Sequence, residues 1–340
     1  MESAQQLRAA PAIPNSPDRV NLSVVVPVHN EAAVLEAFFS RLLAVLDPLR
    51  MSFEVICVND GSTDASLAAI LKARESRPEI KVLDLSRNFG KDIALSAGLD
   101  HARGAAVIPI DADLQDPPEL IPTLIARWRE GFEVVNARRQ DRQGETWTKR
   151  TSATAFYRLF TRMSEVTIPE DTGDFRLLDR KVVDALRRLP ERTRFMKGLF
   201  AWVGFKQTSV YFHREARTAG ETKWNYWRLW NFALDGIVSF SSAPLRVWSY
   251  LGLAISAFAF LYALFLAALK IGRGIDVPGY TSLMVVVLFL GGVQLITLGV
   301  IGEYLGRVYA EVKARPLYVV GRAFGFDDEV PDAKGEGERV

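Results

Sequence analysis

Asp111 and Asp113 stand one residue apart, directly after an apolar run over residues 105–110 that reads as a buried strand. Two carboxylates at the carboxyl end of a strand can face one crevice, which is where open α/β sheets bind ligands. Oxygen donors of this kind suit Mg²⁺ or Mn²⁺, and such an ion clamps a diphosphate. The same spacing also fits a polar turn with two solvated aspartates, so the pair needs support from its surroundings.

The surroundings are repeated strand and helix patterns. Residues 22–28 form a β-rich apolar run. Residues 32–46 carry apolar side chains at helical spacing, with Val34, Leu35, Phe38, Leu42, Val45 and Leu46 on one face. Strands are expected at 53–58, 82–85 and 134–137, and helices at 64–74, 92–101, 118–130 and 148–162. Ser62 and Thr63 are placed to cap the second helix, and Pro118 opens the fourth. Alternating βα units predict an α/β fold with a mainly parallel sheet covered on both faces. No G-x-G-x-x-G opens the first helix, which argues against a dinucleotide-binding Rossmann unit.

The chain has 340 residues, with 42 Lys plus Arg against 40 Asp plus Glu. This near neutrality excludes a general nucleic-acid binder. The single cysteine, Cys57, lies in a strand candidate and allows no disulfide within the chain, which fits a reducing compartment. Residues 1–20 have no apolar core and read as a mobile arm rather than a secretory signal.

Apolar residues gather late. Residues 247–269 and 280–302 contain no charged side chain, and each is long enough to cross a ~30 Å hydrocarbon layer as a helix. Gly272, Gly274, Pro278 and Gly279 break the chain between them, so a transmembrane hairpin is expected. Lys223, Arg228, Arg246, Arg307, Lys313, Arg315 and Arg322 flank the pair, while the connection holds Lys270 and Arg273. The positive-inside rule then puts both termini in the cytoplasm. Residues 219–246 bring Trp224, Trp227, Trp230 and Phe232 together with Lys223, Arg228 and Asp235, a composition suited to an amphipathic helix at the membrane interface. Residues 303–340 read as a cytoplasmic tail, its end charged and disordered.

Six ordered motifs resemble one family. They are Val26-Pro27-Val28-His29-Asn30-Glu31, Asn59-Asp60-Gly61-Ser62-Thr63-Asp64, Arg87-Asn88-Phe89-Gly90-Lys91, Asp111-Ala112-Asp113-Leu114-Gln115-Asp116-Pro117-Pro118, Asp171-Thr172-Gly173-Asp174-Phe175-Arg176 and Ala219-Gly220-Glu221-Thr222-Lys223-Trp224. Together they look like the family 2 glycosyltransferases that load a sugar onto a polyisoprenyl phosphate, in particular the bactoprenol glucosyltransferases, relatives of dolichol-phosphate mannose synthase. His29 departs from the pattern, where the family often has tyrosine.

The resemblance implies a GT-A domain over residues 21–218 and a nucleotide-sugar donor, with UDP-glucose favoured. Pro27, Asn30 and Glu31 would border the nucleotide, and Asp60 would hold the base or ribose edge. Lys91 would lie near the donor. Asp111 and Asp113 would bind sugar and metal, Asp113 being the more direct ligand of Mg²⁺ or Mn²⁺. Gln115 would touch the diphosphate or the acceptor. Arg138 and Arg150 match best the places where the family binds acceptor phosphate, with Arg139 and Arg217 as further candidates. Asp174 would orient the acceptor or act as a weak base, or else form a structural ion pair with Arg176. The implied product is a membrane lipid-linked sugar made at the cytoplasmic face of the inner membrane.

Rival readings are another sugar such as mannose, galactose or an amino-arabinose derivative, a processive polysaccharide synthase, and a membrane-anchored binding protein. The synthase signature Gln-x-x-Arg-Trp fails here, since Leu124 precedes Arg127-Trp128. A homo-oligomer is compatible with a two-span chain, but no residue pattern calls for one.

Overall fold

The computed structural model describes residues 20–140, 172–189, 191–192, 194–212, 243–273 and 279–326. These fall into two compact units. One holds a sheet with its helices and resumes at Pro316; the other holds two long helices. All but the last residue of the expected arm at 1–20, the helix at 148–162, the interfacial segment at 224–240, and the residues Arg150 and Arg217 lie outside the described residues.

The sheet unit runs β1 (Leu22–Val28), α1 (Ala32–Leu46), β2 (Phe53–Asn59), α2 (Ser66–Ser76), β3 (Ile80–Leu85), α3 (Lys91–His101), β4 (Ala106–Pro109), α4 (Ile121–Arg129), β5 (Val134–Arg139), β6 (Thr172–Asp179), α5 (Arg180–Arg187), α6 (Met196–Trp202), β7 (Gln207–Phe212) and β8 (Val320–Phe324). The strand order is β7-β5-β6-β4-β1-β2-β3-β8. The first four strands are parallel and nearly all buried, so both faces are covered by helices. Leu35, Phe38, Phe39, Leu42 and Leu46 of α1 pack into this core.

The sheet is mixed rather than mainly parallel. β6 enters between β4 and β5 antiparallel to both, and β8 lies antiparallel on the outer edge of β3. β6 has no counterpart among the expected strands: Thr172, Gly173 and Asp174 interrupt any apolar alternation, and only from Phe175 onward does the strand bury apolar groups. β8 falls in the region expected to be tail. It covers the exposed edge of β3, and Tyr318 just before it donates a hydrogen bond to Asp100 Oδ2 at 3.1 Å.

Chain order reverses between β1 and β4, the switch point where α/β sheets open a crevice. The Val25 carbonyl accepts from Ile110 N–H at 3.0 Å, the last bond between the two strands. Pro27, two residues on, faces the same side. Its missing N–H costs nothing there, because β4 has already ended.

The second unit contains α7 (Ala243–Arg273) and α8 (Tyr280–Val312). Among the described residues, Ser282–Val312 is the one helical stretch long and apolar enough to cross a membrane, and Tyr250–Leu266 is a shorter apolar stretch. Tyr250, Leu253, Phe258 and Phe260 on α7, and Leu295 and Leu298 on α8, are largely exposed. The second helix passes the expected end at residue 302 and continues through Glu303, where Arg307 pairs with Glu303 at 3.1 Å one turn apart.

Candidate active site

Four loops meet at the carboxyl ends of the parallel strands. The Asn59-to-Asp64 segment organises the turn after β1. Asn30 adopts φ 57°, a left-handed conformation that asparagine tolerates. It is held by its N–H to Ser62 Oγ at 3.1 Å and by Thr63 N–H to its Oδ1 at 2.8 Å. Glu31 N–H donates to Ser66 Oγ at 2.8 Å, and Ala32 N–H to Asp64 Oδ2 at 3.2 Å. Ser62 and Thr63 therefore do not cap α2. That helix starts later, at Ser66, after Asp64 Oδ1 accepts from Ser66 N–H at 2.9 Å, because these polar side chains are recruited by the β1 loop instead.

Asp60 is 3% exposed. Its two carboxylate oxygens accept Phe89 N–H at 2.7 Å and Gly90 N–H at 3.0 Å. It thus shapes the loop before α3, alongside whatever it offers a nucleotide through its remaining lone pairs. Gly61, at φ +59°, lets that loop approach: a Cβ there would fall 2.4 Å from Asn88 N. His29 bridges three segments. Its Nδ1–H donates to the Asp60 carbonyl at 2.8 Å, and Asn88 Nδ2 donates to its Nε2 at 3.1 Å. An imidazole at the family's tyrosine position has a structural task here.

Lys91 begins α3 and joins two carboxylates that are far apart in sequence. Its Nζ lies 2.7 Å from Asp111 Oδ2 and 2.6 Å from Asp174 Oδ2. Burial alone would raise the Asp174 pKa, but Lys91 and Lys197 outweigh it and hold the carboxyl well below the usual range. Partial desolvation opposes the charge on the half-exposed Lys91, and Asp111 and Asp174 outweigh it, leaving its pKa raised. Asp174 is thus ion-paired with Lys91. Arg176 instead donates to the Gly173 carbonyl at 2.7 Å and stacks on Phe200 at 4.1 Å; its burial lowers its pKa to about 10, against the pull of Asp174.

The D-x-D turn continues through Leu114 at φ 60°, a strained conformation for a non-glycine residue. Asp113 Oδ1 accepts Gln115 N–H at 3.1 Å. Gln115 is buried, and among the described residues its Oε1 has no partner; the same holds for Asp174 Oδ1 and Arg139 Nε. Buried polar atoms without partners carry a cost unless a ligand meets them.

Arg138 and Arg139 are neighbours on β5 and so face opposite sides. Arg138 stacks on Tyr211 at 5.8 Å. Arg139 reaches Gly173, with Nη2 3.6 Å from the position a Cβ would take there, and its charge acts on Asp116 and Lys197. The site side of β5 therefore carries Arg139 rather than Arg138. Three further groups belong to this cluster. Asp116 is pushed up to about 7 by burial and then by Asp111. Asp92 reaches about 7 through burial and Asp174, while accepting a hydrogen bond from Met196 N–H. Lys197, on α6, is lowered by burial and sustained by Asp174. Asp116 was visible inside its motif. Asp92 and Lys197 carry no sequence signal, since folding alone brings α6 to α3.

Comparison with known proteins decides the family. The family described as glycosyl transferase family 2 matches residues 23–187, and the family described as GtrB C-terminal hairpin matches residues 243–308. An uncharacterized glycosyltransferase of Synechocystis sp. is 63% identical over 308 residues, which cover 91% of this chain and 97% of that protein. The chain belongs to the family 2 glycosyltransferases. A prophage bactoprenol glucosyl transferase homolog of Escherichia coli is 46% identical, covering 89% of this chain and 99% of that protein. A bactoprenol glucosyl transferase of Shigella phage SfII is 47% identical, covering 89% and 98%. In this glycosyltransferase Lys91 Nζ joins Asp111 of the acidic motif, just after β4, to Asp174 at the start of β6.

Proposed function

We infer that this enzyme moves a glucosyl group from UDP-glucose to undecaprenyl phosphate at the cytoplasmic face of the inner membrane, with inversion at the anomeric carbon. The observation that carries the reading is the joining of Asp111 and Asp174 by Lys91 beside the D-x-D turn. The bactoprenol glucosyl transferases to which the chain is similar support the acceptor and the sugar. Two apolar helices, forming a membrane hairpin, would keep the active site near a lipid whose tail leaves the bilayer only at a cost of ~0.8 kcal/mol per CH₂. The expected division into a GT-A domain, an interfacial segment and this hairpin is part of the same reading.

An oxygen of the lipid phosphate forms the new bond to the anomeric carbon. The bond from that carbon to the β-phosphate oxygen breaks, and its electron pair leaves with the nucleoside diphosphate. A phosphate monoester with a second pKa near ~6 is largely a dianion at neutral pH, so no strong base is required. Asp174 serves by holding Lys91 and by orienting the acceptor. Arg139 is the better-placed acceptor contact on β5, with Lys197 beside it; Arg138, Arg150 and Arg217 remain candidates from the sequence. Pro27, Asn30, Glu31 and Asp60 would frame the nucleotide, and Gln115 Oε1 would accept from a donor hydroxyl.

The donor set fits Mg²⁺ or Mn²⁺. Among the described residues no group of three or more His, Cys, Asp or Glu side chains could hold an ion, and Asp111 and Asp113 offer two carboxylates, the number such ions take alongside substrate phosphates. When bound, the ion offsets the charge of the departing diphosphate.

The test is incubation of membranes containing the enzyme with undecaprenyl phosphate, Mg²⁺ or Mn²⁺, and radiolabelled UDP-glucose, GDP-mannose and UDP-galactose in parallel. Label from UDP-glucose is expected in the lipid phase. Transfer from another donor would overturn the sugar, and transfer from none would overturn the acceptor.

A further inference from the structure

Lys91 does more than neutralise its neighbours. Its ammonium group stands 2.7 Å from Asp111 and 2.6 Å from Asp174, so one oxygen of the D-x-D pair already has a cation. A divalent ion arriving alone would meet Asp113, but gripping both carboxylates would make it compete with that ammonium for Asp111, close to Lys197 and Arg176, whose charges also act around Asp174. A diphosphate changes the balance. It brings its own negative charges, accepts the ammonium directly, and completes the shell of an ion held by few protein oxygens.

We propose that Lys91 is the resident counter-cation of the D-x-D turn, excluding a divalent ion until a nucleoside diphosphate enters and takes the lysine over. The inference rests on the proposed function and adds an order of events: ion and nucleotide enter as one unit, and the released Asp174 then faces the acceptor. Lys91 is a positioning residue in this scheme, since it sets the availability of Asp111 and Asp174.

Mn²⁺ binding to the purified full-length enzyme in detergent, read by electron paramagnetic resonance of the free ion, tests this without turnover. The wild type is expected to bind Mn²⁺ at least about tenfold more weakly without UDP than with it. Lys91→Met, which keeps the apolar stem, is expected to bind Mn²⁺ without UDP about tenfold more tightly than the wild type. Lys91→Arg is expected to retain the exclusion. A merely structural role for Lys91 would weaken Mn²⁺ binding rather than strengthen it. Equal wild-type affinity with and without UDP overturns the proposal and leaves the metal reading intact, and this comparison stands even where the variants fail to fold. No Mn²⁺ binding under either condition overturns both.

Discussion

Arg322, on the last strand of the sheet, donates to Asp84 Oδ2 through Nη2 at 2.7 Å and Nε at 2.9 Å. The other oxygen of Asp84 accepts Asn59 Nδ2 at 2.7 Å, and Asn59 immediately precedes Asp60. The edge of the sheet is thereby wired to the residue that shapes the loop before α3. Arg322 is 61% exposed while Asp84 is 12% exposed. Arg322→Ala is expected to cost about 1 kcal/mol, and Asp84→Ala about 2–3 kcal/mol because it also leaves a buried amide unpaired. Denaturant unfolding of both single variants and the double variant measures the coupling.

Gly61 and Gly131 separate two effects of a methyl group. Both have positive φ, but a Cβ on Gly61 meets Asn88 backbone while one on Gly131 meets nothing within 4 Å. Gly131→Ala is expected to cost about 1 kcal/mol of strain and leave transfer intact. Gly61→Ala is expected to cost more and to raise the KM for the nucleotide sugar, as steady-state kinetics would show.

The D-x-D pair should be indispensable. Asp113→Asn is expected to lower kcat by about 100-fold or more, with the fold preserved by circular dichroism. Excess chelator should abolish transfer, and added Mn²⁺ or Mg²⁺ should restore it.

Asp92 predicts a pH dependence of stability. Its carboxyl is raised to about 7 in the folded chain, against an ordinary value near ~4. Between these values the folded state holds a proton that the unfolded state has released, so this contribution is complete at low pH, falls as pH rises through that window, and is gone above about 7. Asp92→Asn cannot ionise. Its melting temperature should match the wild type near pH 4 and exceed it by a widening margin up to neutral pH, then by a constant one. A margin that does not change with pH would contradict the assignment.

Arg139 and Arg138 should differ in kind. Arg139→Ala is expected to raise the KM for the lipid phosphate about tenfold or more, while Arg138→Ala, which loses a ring contact with Tyr211, should change it less. Titration of the lipid acceptor at saturating donor distinguishes them.

The legible parts of this fold are those whose signal is local. β1 and α1 were readable to their ends because an unbroken apolar run and a 3.6-residue stripe leave little choice. β8 was not, since Val320-Gly321-Arg322-Ala323-Phe324 is short, half exposed and stabilised by a partner far away in sequence. The site divides the same way. Asp111, Asp113 and Gln115 announce themselves by motif and strand position. The pairing of Lys91 with Asp174 depends on an antiparallel strand inserted beside β4, and no spacing in the sequence encodes that insertion. Likewise the choice of Arg139 over Arg138 follows from strand alternation once β6 and β7 are in place.

β8 also sets a timetable. The ribosome completes every other strand of the sheet before it begins either long apolar helix, yet the final strand emerges only after both. Until then β3 presents a bare row of amide and carbonyl groups to the surroundings. Completion of this edge of the sheet therefore waits for synthesis of both long apolar helices, and a nascent chain stalled before them would leave β3 uncovered.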